Sequence, residues 1–132
     1  MKEVSIGIKG TAETRADAGN LASAMGSGSL KVFATPAMTA LMEAAACDCL
    51  SQYMENDETT VGTELNIKHT SATPEGMNIT AEAVLTQVNG REFVFDVRAF
   101  DETGEIGSGA HRRFLVYGEK FMAKTYSKNL FS

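Results

Sequence analysis

A chain of 132 residues, 43% of them hydrophobic, is long enough to bury one core and too short for two. Its net charge of −5, from 12 Lys+Arg against 17 Asp+Glu, argues against the basic face that nucleic-acid phosphates demand and points to small-molecule or protein partners. No apolar run approaches the roughly 20 residues that span a bilayer, and the amino terminus lacks a charged-then-apolar signal pattern. A single cytoplasmic domain over residues 1–132, without membrane association, is the expectation.

Val4, Ile6 and Ile8 alternate with Ser5, Gly7 and Lys9, which predicts a short first strand. Residues 17–25 suit a brief helix stopped by Gly26, and Gly26-Ser27-Gly28-Ser29 follows as a flexible connector or lid. Thr35-Pro36 is a helix start: the threonine oxygen can accept from a first-turn N–H, and proline's fixed φ suits the first helical position. From Ala37 to Leu50 only Thr39, Glu43 and Asp48 are polar, the pattern of a helix surrounded by protein, and Ala44-Ala45-Ala46 lets a sheet come close. Glu43 is then a carboxylate in an apolar segment, costly unless paired or protonated. Cys47 and Cys49 point to different sides of that helix and read as reduced packing thiols.

Thr60 to His69 alternates again. Val61, Thr63, Leu65, Ile67 and His69 share one face, expected to lie against the helix, and His69 gives Glu43 a partner to meet. Met77–Gln87 and Arg91–Asp101 form a hairpin around Asn89-Gly90. A three-residue loop, setting Leu85 opposite Phe93 and Ala83 opposite Phe95, keeps one face apolar. A last strand runs from Glu105 to Tyr117, with Gly107 and Gly109 marking a bend or the close passage of backbone or ligand. Glu119–Lys128 is a terminal helix or an extended tail.

No metal-ligand spacing, phosphate-binding glycine loop or nucleophile elbow occurs. The chemistry on offer is a hydroxyl, a carboxylate and an imidazole: Thr35, Glu43 and His69. Such a group can activate a water or attack an acyl carbon directly. Adjacent Arg112 and Arg113 offer guanidinium forks for an anion, and strand alternation lets only one of them serve a given ligand.

Val32-Phe33-Ala34-Thr35-Pro36, Leu41-Met42-Glu43-Ala44-Ala45, Val61-Gly62-Thr63 leading to His69, Glu105-Ile106-Gly107-Ser108-Gly109, and Glu119-Lys120-Phe121 with Ala123-Lys124 stand in register across most of the chain. Together they make it resemble the hotdog-fold thioesterases, in the branch of the fluoroacetyl-CoA thioesterase. The resemblance implies an α+β fold, with an antiparallel sheet wrapped around a long central helix, and a homodimer joined edge to edge. It implies an acyl-CoA substrate at the dimer interface and no cofactor. Thr35, Glu43 and His69 match the family's catalytic residues, and Gly62 occupies a family glycine position whose N–H is available to the thioester oxygen; Phe33 and Arg113 are expected to bind substrate beside it. The family's bulky lid aromatics are replaced here by Gly26-Ser27-Gly28-Ser29, so the fluorinated substrate does not carry over. Competing readings are a non-catalytic acyl-CoA-binding dimer and an enoyl-CoA hydratase-like enzyme.

Overall fold

The computed structural model describes residues 1–131. Five strands, β1 (Lys9–Arg15), β2 (Glu58–His69), β3 (Asn78–Asn89), β4 (Glu92–Asp101) and β5 (Gly104–Tyr117), form one antiparallel sheet in the order β1-β3-β4-β5-β2. Helix α1 (Ala22–Met25) ends at Gly26, whose φ of 71° is the left-handed cap expected there. Helix α2 (Thr35–Ser51) lies along the inner face of the sheet, and α3 (Gly118–Tyr126) runs into a 3-10 turn, Ser127–Phe131. No helix among the described residues is long and apolar enough to cross a membrane.

The core forms where α2 meets β3 and β4. Met38, Met42, Ala45, Ala46, Cys49 and Leu50 occupy one side of the helix, and Ile79, Ala81, Ala83, Leu85, Phe93, Phe95, Val97 and Ala99 occupy the facing positions of the strands. Each large side chain buried this way contributes about 1.5–3 kcal/mol. The small residues Ala81, Ala83 and Ala99 let the helix settle close to the sheet. The opposite side of α2, through Ala40, Ala44 and Cys47, is exposed in the single chain. The helix is therefore covered on one side, where its all-round apolar sequence predicted cover throughout. Cys49 is buried, its thiol pushed up to about 11 by loss of solvation, while Cys47 faces outward; both are free.

Several local expectations shift. The alternation of Val4, Ile6 and Ile8 does not make the first strand: Gly7 turns the chain at φ 97°, and pairing with β3 begins at Lys9. Ala34 rather than Thr35 caps α2, with no side-chain bond to the first turn, and Pro36 sits in that turn as expected. The β3–β4 hairpin turns on Gly90-Arg91, with Asn89 opposite Glu92. An irregularity at Thr86 then sets Leu85 opposite Phe95, Ala83 opposite Val97 and Ala81 opposite Ala99. The apolar faces meet as required, but two residues away from the predicted register, because a tighter loop and a bulge replace the longer loop.

The largest correction lies in β2. A bulge falls between Gly62 and Glu64 in its pairing with β5. Thr63 is the extra residue, so the inward set changes phase there. Thr60 and Gly62 face inward before it, opposite the buried side of β5, whereas Leu65, Ile67 and His69 face inward after it. Val61 sits on the outer face opposite Phe114. Gly107 and Gly109 do mark close passage: an added Cβ would lie 2.6 Å from the Met38 sulfur at the first and press on the Asn66 carbonyl at the second. Asp57 receives the start of α3, its carboxylate accepting from the Glu119 N–H at 2.8 Å and its carbonyl from Gly118.

Candidate active site

Two polar clusters lie along the inner face, one at each end of the central stretch of α2. At the amino end of the helix, the Thr35 hydroxyl and His69 Nδ1 are 2.7 Å apart. Both line a cavity of about 400 Å³ walled by Phe33, Val32, Leu30 and the Ser27-Gly28-Ser29 loop. Phe33 is nearly fully buried and serves core and cavity wall together. The cap Gly26 and the bonds from Ser23 N–H to the Leu30 carbonyl and from Ser27 N–H to the Ala22 carbonyl fold that loop back over the cavity. His69 Nε2 is buried without a hydrogen-bond partner among the described residues. Burial holds the His69 pKa below its ordinary value of 6.5, against a smaller opposing pull from the Ser71 backbone, so the ring is neutral at pH 7.

The second cluster surrounds Glu43, eight residues and therefore about 12 Å further along the helix. Its charged neighbour is Arg113, with NH1 3.5 Å from Oε2. His69, the partner expected from the sequence, instead meets Thr35. Glu43 is also less buried than its apolar neighbours predicted, its side chain being 38% exposed.

Arg113 is turned inward and almost wholly covered. Its Nε donates to the Thr60 hydroxyl and NH2 to the Thr60 carbonyl, both at 2.9 Å. The predicted phosphate fork is thus committed within the chain. Arg112 points the other way, paired with Glu92 at 2.9 Å and Glu64 at 3.3 Å. Neither arginine presents a free fork to solvent.

His111 completes this cluster and was given no role from sequence. Its Nδ1 lies 2.8 Å from the Glu64 carbonyl, an atom that can only accept, so Nδ1 carries the proton. Nε2 is then a lone pair facing Arg113 NH1 at 3.1 Å, and it accepts from the guanidinium. Burial pushes the His111 pKa down and the Arg113 charge adds to that, against opposing pulls from the Glu64 carbonyl and Glu43. A neutral, tautomer-fixed imidazole therefore aims the arginine at the carboxylate. Gly62 belongs here as well: a Cβ at this position would sit 2.8 Å from Glu43 Oε2 and 3.3 Å from Arg113 NH1. A signal for the cluster existed in the sequence, because His111, Arg113 and Leu115 alternate on one strand face and the apolar member fixes that face as inward.

Within one chain, then, Thr35 stands with His69, and Glu43 stands with Gly62, Arg113 and His111. No group of three or more His, Cys, Asp or Glu side chains that could hold a metal occurs among the described residues.

The model of the fluoroacetyl-CoA-specific thioesterase family matches residues 17–119. The chain is 43% identical over 98 residues to the fluoroacetyl-CoA thioesterase of Streptantibioticus cattleyicolor, an alignment covering 74% of this chain and 70% of that one. A crystal structure of a phenylalanine-to-alanine mutant of the fluoroacetyl-CoA-specific thioesterase superposes with a TM-score of 0.90 at 33% identity, covering 97% of this chain and 99% of the other. A threonine-to-serine mutant of that enzyme in complex with acetyl-CoA superposes with a TM-score of 0.88 at 34% identity, covering 95% and 98%.

Proposed function

This chain belongs to the fluoroacetyl-CoA-specific thioesterase family, with its hotdog fold, and from that premise we propose that it hydrolyses small acyl-CoA thioesters at a Thr35, Glu43 and His69 site completed by a homodimer. The observation that carries the reading is the buried, unpartnered Nε2 of a neutral His69 beside a cavity that already holds Thr35. A buried nitrogen without a partner is costly, and a water bound with the thioester supplies one.

The dimer follows from the sheet. β2 is an edge strand, with one row of backbone groups unpaired in the single chain. Two-fold pairing of β2 with its copy is antiparallel, and a two-fold centred between Leu65 and Asn66 sets the Gly62 region of one protomer beside the partner's His69. That brings Glu43, 12 Å or so from Thr35 in its own chain, toward the partner's Thr35–His69 pair. Sedimentation is expected to give twice the chain mass, and a monomer at micromolar concentration would remove the composite site.

In this arrangement the acyl carbon lies between the two clusters. The Glu43 carboxylate, 3.5 Å from Arg113, delivers the attacking oxygen, its own or that of a water it deprotonates. The Gly62 N–H, at a break in the β2–β5 ladder, supports the negative charge that develops on the thioester oxygen. The neutral imidazole held by Thr35 receives the proton released by the attacking water and relays it to the departing thiolate, returning to its neutral form. The products are a carboxylic acid and CoA.

Thiol release from a panel of short, branched and aromatic acyl-CoAs tests the activity. The Gly26–Ser29 loop places small side chains along the cavity, so turnover of several acyl groups is expected, with little preference for fluoroacetyl over acetyl. Absence of thiol release across the panel would leave the non-catalytic binding dimer. A change in enoyl absorbance without thiol release would indicate the hydratase.

A further inference from the structure

Glu43 and Arg113 carry opposite charges on the inner face, yet they stop short of a hydrogen bond. NH1 lies 3.5 Å from Oε2, beyond the roughly 2.7–2.9 Å at which a guanidinium grips a carboxylate. Every nitrogen of that guanidinium has a nearer acceptor elsewhere. Nε donates to the Thr60 hydroxyl and NH2 to the Thr60 carbonyl, both at 2.9 Å, and NH1 donates to His111 Nε2 at 3.1 Å. We propose that His111 is a positioning residue that holds Arg113 off Glu43 and so leaves the carboxylate oxygens unshared for the attack; this role rests on the thioesterase reading and deepens it with a residue too buried to touch the substrate.

The surroundings of His111 suit it to that task. The ring is flanked by Phe95 from β4, with centroids 6.3 Å apart. Its Nδ1–H is committed to the Glu64 carbonyl at 2.8 Å, so the Nε2 lone pair has a fixed direction. That carbonyl belongs to the residue just past the β2 bulge, where the ladder with β5 is interrupted. The acceptor for Arg113 is thus tied to the same irregularity that turns Gly62 inward. Ring and glycine also touch: a Cβ on Gly62 would lie 3.3 Å from His111 Cε1, besides its 2.8 Å approach to Glu43 Oε2.

A carboxylate oxygen in a charge-assisted hydrogen bond has a lone pair occupied, and an arginine free to turn would take Oε2 in that way. Attack then requires that bond to break, which slows the chemical step without weakening substrate binding. With NH1 drawn to Nε2, the positive charge stays close enough to attract the carboxylate while the oxygen keeps its lone pairs for the acyl carbon or a water. Without Nε2, the covered guanidinium has an N–H lacking its acceptor, and the Glu43 oxygen 3.5 Å away is within reach to replace it.

His111→Asn and His111→Gln separate the two ring nitrogens. Asparagine keeps a donor near the Nδ1 position and leaves the Nε2 position empty, whereas the glutamine amide oxygen reaches the Nε2 position. The expected result with acetyl-CoA is a kcat lowered about ten- to a hundredfold in His111→Asn, with KM within about twofold of wild type, and a kcat several-fold higher in His111→Gln. In an Arg113→Met background, where no guanidinium remains to be held, His111→Asn is expected to change kcat by less than about twofold. Equal losses in the two variants, a raised KM with kcat retained, or the full loss in the Arg113→Met background would each overturn the proposal. The crystal structure of His111→Asn supplies a readout independent of turnover. NH1 is expected on Glu43 Oε2 at about 2.8 Å, and a separation still at 3.5 Å overturns the proposal. His111→Ala, which also clears the Nε2 position, serves for the same measurement if His111→Asn does not fold. If the wild-type protein hydrolyses no thioester, the proposed activity fails, and this distance by itself decides whether His111 holds the guanidinium off the carboxylate.

Discussion

Glu43→Gln is expected to lower kcat for acyl-CoA hydrolysis by on the order of 10²–10⁴ while leaving the protein folded. The amide keeps the shape of the carboxylate but can neither accept a proton at neutral pH nor form an acyl intermediate. The structural cost is small for two reasons. Glu43 is 38% exposed and its distance to Arg113 is 3.5 Å, so solvent screens much of that attraction. Arg113 also keeps its two bonds to Thr60 and its bond to His111, which hold the guanidinium where it is. Circular dichroism and sedimentation should therefore be unchanged while turnover collapses. A well-folded Glu43→Gln protein with near-normal hydrolysis would assign the residue to structure and overturn the mechanism.

His69→Ala is expected to cost a comparable factor of about 10²–10⁴ in kcat/KM and to alter the pH profile as well. Burial lowers the His69 pKa from 6.5, so the wild-type ring stays neutral down through 6.5 and becomes protonated only at lower pH. The neutral ring is the form whose Nε2 can take up a proton and pass it on, so wild-type kcat/KM should hold through neutrality and fall on an acid limb below pH 6.5. His111 is also shifted down and loses its lone pair to Arg113 when protonated. The residual activity of His69→Ala separates the two. An acid limb that persists unchanged in the variant points to His111, whereas its disappearance assigns it to His69. Thr35→Val should lose less than His69→Ala, because a water can replace part of what a hydroxyl does for the ring.

Much of this architecture is legible in the residues, and the failures have specific causes. Thr35-Pro36 and the apolar run behind it locate α2, and period-two alternation locates β3, β4 and β5. Alternation specifies which residues share a face, but not how many residues a turn consumes. The β3–β4 pairing was accordingly right in face and two residues off in register. The site was legible as a set of residue types and not as a set of neighbours. Thr35, Glu43 and His69 stand out because polar groups in apolar segments need partners, yet the partners differ from those expected: Thr35 takes His69, and Glu43 takes Arg113. An arginine on a strand reads by default as solvated surface. Only its shared face with Leu115 shows that Arg113 is directed inward.

The bulge at Thr63 has a bearing on how this segment tolerates change. It lets one continuous strand present Thr60 and Gly62 to the carboxylate cluster and His69 to the cavity, two obligations an unbroken alternation would set on opposite faces. What β2 conserves under mutation is therefore a count of residues more than their identity. Exposed positions such as Asn66 and Lys68 have room for exchange. Loss or gain of one residue between Gly62 and Leu65, by contrast, would turn either Gly62 or His69 away from the helix with every side chain still present. The length of this strand across the middle is fixed by the need to serve two ends out of phase.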